Sequence, residues 1–302
     1  MFPHLSPAFQ AFIAPAQERS QIWRTILGFL LLMIFYVIII VVATIAIYFG
    51  GNAYSAGNGD RMFLEISQMT TTFATSVALL GIIVALPPLW LVLRIVHKRP
   101  LAGLLGPTHK VDWRLWRIAA MVVLVLFVID TVSSFVYYEV ERQFSLLQWL
   151  GLLAPGLALI FLQTTTEELV FRGYLQQQLA ARFSNPVVWW FLPSILFGLG
   201  HYDPDTYGQN TWVIIGVITV VGLILADVTA RFGSLAPAMG LHFANNAAML
   251  FISADGNLSG YSLFVSTVNL KSGETGQSMT IYLGVLLVGY GIFMQIMRRR
   301  RL

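Results

Sequence analysis

The sequence predicts an all-α polytopic membrane protein of about eight transmembrane helices, and three observations predict it. The 302 residues are 57% hydrophobic and only 11% charged, against roughly 25% charged in soluble globular chains. Apolar runs of about 20 residues recur, the length an α-helix needs to cross a hydrocarbon core roughly 30 Å thick. Lys and Arg fall on alternate sides of those runs. Soluble enzymes, disulfide scaffolds and disordered tails are excluded. The chain has no cysteine, which also excludes thiolate zinc sites and cysteine nucleophiles but leaves His and carboxylate ligands open.

Eight hydrophobic segments can be drawn, at about 25–49, 70–96, 114–136, 149–171, 187–202, 211–229, 235–253 and 279–297. The first is too long for the apolar core of a signal peptide and lacks a small-residue cleavage site, so it reads as a retained helix. The fifth is the shortest. With the N-terminus in the cytoplasm, eight crossings place every Lys and Arg on that side except Arg61, Arg142 and Lys271, including Arg298 to Arg301 at the C-terminus. Asp60, Glu139, Asp203 and Glu274 then face out. This positive-inside bias predicts that both termini are cytoplasmic. It also accounts for the basic runs at 94–117 and 298–301 without nucleic acid, leaving membrane lipids as the expected surroundings. Most tryptophans fall near segment ends, as an interfacial aromatic belt does. The loops at 50–69 and 254–278 are Gly-, Ser- and Asn-rich and look short of a folded domain, and no repeat of 20–50 residues is visible. Residues 1–302 read as a single membrane domain.

The intramembrane polar residues carry the chemistry, because a charge at bilayer depth costs on the order of 2.5–3.5 kcal/mol on insertion scales. The fourth segment contains Thr164-Thr165-Thr166-Glu167-Glu168-Leu169-Val170-Phe171-Arg172-Gly173. Helical spacing lets Glu168 meet Arg172 at i,i+4, while Glu167 points about 100° around the helix. One carboxylate is thereby held by a cation and the other left available. Alone, the pair reads equally well as a packing lock.

Two intramembrane histidines change the balance. His201 closes the fifth segment and His242 lies in the seventh, with Asn246 on the same helical face at i+4 and Asn245 turned elsewhere. A reversal at Ser184-Asn185-Pro186 lies midway between Glu167 and His201 and brings them to similar depth if helices four and five are antiparallel. A neutral imidazole and a carboxamide can donate to an oxyanion while a carboxylate accepts a proton from water. Glu167, His201, His242 and Asn246 can therefore hydrolyse an amide without a covalent intermediate. The same Glu167, His201 and His242 can instead bind a catalytic Zn²⁺, although no His-Glu-x-x-His helix fixes a metal geometry. Asp227 and Arg231 read as a local i,i+4 pair, Asp130 as a packing or cavity residue, and the threonines as hydroxyls returned to helical carbonyls.

Glu167-Glu168-x-x-x-Arg172-Gly173, then Phe197-x-x-x-His201, then Gly233-Ser234-Leu235 leading to His242-x-x-x-Asn246 resembles the CPBP family of intramembrane endopeptidases. That family covers CAAX proteases and bacteriocin-processing enzymes and includes the type II CAAX prenyl endopeptidases. The match spans about residues 150–250. The resemblance implies eight helices and an intramembrane endopeptidase in which Glu167 activates water, His201 assists, His242 and Asn246 stabilise the oxyanion, and Glu168 and Arg172 organise the site. It implies membrane-associated peptide or protein substrates. Members have been described as metal-dependent and as glutamate-dependent; no cofactor is favoured here, with Zn²⁺ on Glu167, His201 and His242 as the alternative. A second reading is a non-catalytic membrane regulator or scaffold of the same family, and a transporter finds little support without paired broken helices. Four terminal arginines point to a bacterial inner membrane, where prenylated substrates are not expected.

Overall fold

The computed structural model describes residues 6–299, apart from the side chains of Ile129, Asp130 and Ser133; Arg300, Arg301 and the Asp130 side chain lie outside the described residues. The elements are almost entirely helical. In chain order they are α1 (Pro7–Gln17), α2 (Ile22–Tyr54), α3 (Asn58–Gln68), α4 (Thr72–His97), α5 (Trp113–Tyr137), α6 (Leu146–Arg182), α7 (Val187–Leu199), α8 (Thr211–Phe232), α9 (Ala236–Ala247) and α10 (Gly273–Arg299). Among the described residues five segments are long and apolar enough to cross a membrane: α2, α4, α6, α8 with the short turn before it (Pro204–Phe232), and α10. Isoleucines, valines and phenylalanines along α2, including Ile34, Val41, Val42 and Phe49, are exposed. This is the surface of a protein solvated by lipid, and the chain is a multi-pass membrane protein.

Three expectations are modified. The fifth and seventh apolar segments become short helices, α7 and the 12-residue α9. The apolar run at 235–253 does not stay helical, because a 3₁₀ turn at Ala248–Leu250 and a strand come after α9. Residues 6–17, left without an element above, form α1, whose cap Ser6 accepts from the Phe9 amide at 3.1 Å; its Phe9, Phe12 and Ile13 are buried in the core with Tyr174, Leu179 and Trp189. The loops at one end are knitted by a small sheet in the order β1 (Val140–Arg142), β3 (Phe264–Ser266), β2 (Ile252–Ala254). β1 pairs antiparallel to β3 with Val140 opposite Ser266, and β2 pairs parallel with Ile252 opposite Phe264.

The loops gather at two ends. Gly208 packs on Lys271, and Gly260 on Thr71, at the end that holds the sheet. At the other end Gly233, with φ +60°, would drive a Cβ to 2.3 Å from the Ala8 carbonyl, so a left-handed turn without a side chain lets α1 lie against the α8–α9 connection. Leu235 also donates its amide to the Leu105 carbonyl there at 3.1 Å. Beside it Arg99 is buried and hydrogen-bonded to Gln177, and burial lowers its guanidinium to about 10.

The site is placed by α6 and α9. α9 packs most closely on α5 and also on α6 and α8. Gly240 permits this, since a Cβ there would sit 2.3 Å from the Trp116 carbonyl oxygen. α6 runs as an α-helix from Leu146 to Glu168 and then widens into a π-helical stretch over Leu169–Gln176. Such widened turns inside α-helices are frequent at functional sites; this one begins directly after Glu167 and Glu168.

Candidate active site

Glu168 and Arg172 meet as their spacing requires. Arg172 Nη1 donates to Glu168 Oε1 at 2.8 Å, with the side chains 1% and 0% exposed. The second Arg172 nitrogen donates to the Gly222 carbonyl at 3.3 Å, and the guanidinium lies 4.4 Å from the Phe197 ring centroid. Glu168 Oε1 also lies 2.8 Å from His242 Nδ1. Because an ionised carboxylate only accepts, Nδ1 carries the hydrogen and the imidazole tautomer is fixed from behind. Glu168 Oε2 is buried without a partner among the described residues.

Glu167 is held differently. It is 11% exposed against 0% for Glu168, so it is the open carboxylate of the two. Its Oε2 accepts from Gln163 Nε2 at 2.5 Å and lies 3.4 Å from His242 Nε2. Gln163, one turn earlier on α6, is buried, and its Oε1 accepts from Asn246 Nδ2 at 3.1 Å. Asn246 and His242 thus face α6 together, as i,i+4 neighbours do. Gln163 was missed in the sequence; the available signal was a carboxamide at i−4 from Glu167 in an apolar helix.

His201 joins through an aromatic ring. Its Nδ1 lies 2.9 Å from the Phe197 carbonyl, which makes it the donor and leaves Nε2 as acceptor. Phe197 contacts both imidazoles, at centroid distances of 5.1 Å to His201 and 5.7 Å to His242. His201 makes no hydrogen bond to Glu167 among the described residues, although it lies within electrostatic range of it. Among the described residues no three His, Asp or Glu side chains converge as metal ligands would. Glu167, His201 and His242 do not gather into a Zn²⁺ set among the described residues; His242 and His201 each give Nδ1–H to an oxygen, Glu168 Oε1 and the Phe197 carbonyl, and leave Nε2 as the basic nitrogen.

The remaining polar residues are local. Arg231 pairs with Asp227 at 2.5 Å, as its spacing suggested, and Tyr290 also donates to Asp227. Thr164 and Thr166 return their hydroxyls to the Ile160 and Leu162 carbonyls at 2.9 and 2.7 Å, whereas Thr165 has a buried hydroxyl without a partner among the described residues.

A cavity of about 380 Å³ opens beside the site between α5, α8, α9 and α10. His242, Asn245 and Tyr282 supply polar atoms to a lining otherwise dominated by residues such as Val122, Leu126 and Leu286. A cavity of about 20 Å³ touches Gln163 and Asn246, room for about one water.

Residues 148–248, which carry every polar group above except Tyr282 and the Asp227 partner Tyr290, match the family model described as type II CAAX prenyl endopeptidase Rce1-like. This segment is similar to the Rce1-like CAAX prenyl endopeptidases. The matched stretch begins near the start of α6 and ends just after α9, enclosing both helices that meet at Glu167 and Glu168. The whole chain is also 25% identical over 301 residues to the uncharacterized protein YyaK of Bacillus subtilis (strain 168), covering 94% of this chain and 95% of that protein. No solved structure matches.

Proposed function

We propose that the protein is an intramembrane endopeptidase in which Glu167 activates water against a peptide bond of a membrane-associated substrate. The observation that carries this reading is the division of labour between adjacent carboxylates: Glu168 is fully buried on Arg172 and His242, while Glu167 is partly open and held at one oxygen only. Glu167 Oε1 makes no hydrogen bond among the described residues, and it takes a proton from water as the water oxygen attacks the carbonyl carbon. His201, through its acceptor Nε2, helps to hold that water. The carbonyl oxygen becomes an oxyanion beside His242 and Asn246. Since His242 commits Nδ1–H to Glu168, it donates from Nε2 only as the doubly protonated ring, a change from the neutral donor read in the sequence. Glu167 then returns the proton to the leaving nitrogen as the C–N bond breaks, and atoms and charge balance without a covalent intermediate.

The apolar cavity beside His242 suits an apolar part of the substrate. Both termini are assigned to the cytoplasm and the protein to a bacterial inner membrane, on the charge asymmetry of the loops and the Bacillus relative. Residues 1–302 act as one membrane domain around the core at 150–250. The reading is tested by purifying parent and Glu167→Gln proteins in detergent and assaying a peptide library. Cleavage by the parent that falls about 10²–10⁴-fold in the variant supports it; equal cleavage by both sinks it, and a cell phenotype kept by a cleavage-dead variant favours the scaffold reading.

A further inference from the structure

The site is connected to the last helix by a chain of hydrogen bonds with a single direction. Tyr282 on α10 donates to Asn245 Oδ1. Asn245 Nδ2 donates to Asn246 Oδ1 at 3.2 Å, Asn246 Nδ2 to Gln163 Oε1 at 3.1 Å, and Gln163 Nε2 to Glu167 Oε2 at 2.5 Å. An ionised carboxylate offers no hydrogen, so Gln163 must present its amino group to Glu167 and its oxygen to Asn246. The same logic fixes Asn246, then Asn245, and ends at a phenol that donates. Each link therefore points its donor toward Glu167, and hydrogen bonds polarised in one direction strengthen one another.

The geometry points to Gln163, Asn245 and Tyr282 as positioning residues that reserve Glu167 Oε2 as an acceptor and leave Oε1 as the atom that takes the proton from water. This rests on the endopeptidase reading for its catalytic consequence, but the arrangement itself does not. Oε2 already accepts from Gln163 at 2.5 Å and faces His242 at 3.4 Å, whereas Oε1 makes no hydrogen bond among the described residues and is the oxygen open to water. A proton on Oε1 leaves Oε2 as a carbonyl acceptor and the chain intact. Tyr282 and Asn245 line the cavity that His242 also reaches, so the far end of the chain lies where substrate is expected to sit.

The test uses the full-length protein in detergent with Gln163→Met, Tyr282→Phe and the double variant. Gln163→Met removes a hydrogen bond to a charged group and is expected to lower kcat about 10–100-fold, and Tyr282→Phe, which removes one oxygen remote from the carboxylate, about 2–10-fold. KM stays unchanged in both. The double variant loses no more than Gln163→Met alone, because the chain is already cut. Multiplicative losses, a Tyr282→Phe effect confined to KM or to thermal stability, or a Tyr282→Phe kcat equal to the parent's would overturn the proposal. A second readout is independent of turnover. The infrared carboxylate band abolished by Glu167→Gln is expected to shift in Tyr282→Phe in the same direction as in Gln163→Met, and an unmoved band overturns the proposal. If the parent cleaves no peptide, the endopeptidase reading falls while the band still decides whether the chain reaches Glu167.

Discussion

Glu168, Arg172 and His242 form a buried triad in which one carboxylate oxygen serves two donors. Removing the cation alone strands a charge that has no water, and half-removed buried pairs typically cost about 3–5 kcal/mol. Arg172→Met is accordingly expected to lower thermal stability in detergent sharply, and Glu168→Gln in the same background to restore part of the loss. A double variant as unstable as Arg172→Met alone would show that Arg172 acts by packing on Phe197 instead. The i,i+4 arithmetic made Glu168–Arg172 and His242–Asn246 legible in the sequence, because both lie within one helix. The Nδ1 contact from His242 to Glu168 was not legible, since it depends on how α9 meets α6 across 74 residues of chain. Gln163 escaped for a related reason: a lone carboxamide gains meaning only when Asn246 is seen to face it.

At the scale of elements, the approach of α9 to α5 sets where His242 and Asn246 stand. Gly240→Ala puts a Cβ against the Trp116 carbonyl oxygen, which is backbone and cannot swing aside. The expected result is a loss of about 1–3 kcal/mol of stability, the usual cost of overpacking, with cleavage reduced because α9 is pushed off α5 and carries His242 and Asn246 with it. Wild-type unfolding and turnover in that variant would contradict the close packing. Hydropathy located the long helices well, because lipid demands about 20 apolar residues. It could not mark the C-terminal end of α9, since the 3₁₀ turn and β2 continue the same apolar composition. The widened turns of α6 also have no hydropathy signature. α1 leaves no hydropathy signature of its own, because 11 residues with an internal proline are too short to register as a crossing.

Across the whole molecule the loops at Gly208 and Gly260 gather on Lys271 and Thr71 while those at Gly233 and Leu235 gather on Ala8 and Leu105, and the cysteine-free sequence offers a clean test of which set faces the cytoplasm. Single cysteines near Asp60, Glu139, Asp203 and Glu274 are expected to react with an impermeant thiol reagent added to intact cells, and one at position 299 only after lysis. Outside labelling at position 299 would invert the assignment. Whether Glu167 itself or a bound metal activates the water is decided on purified protein by metal content measured alongside activity. Substoichiometric zinc and peptide cleavage that survives prolonged chelation are the expected results. About one zinc per chain, lost with activity on chelation and restored with it, would contradict the account and assign Glu167, His201 and His242 to a metal centre.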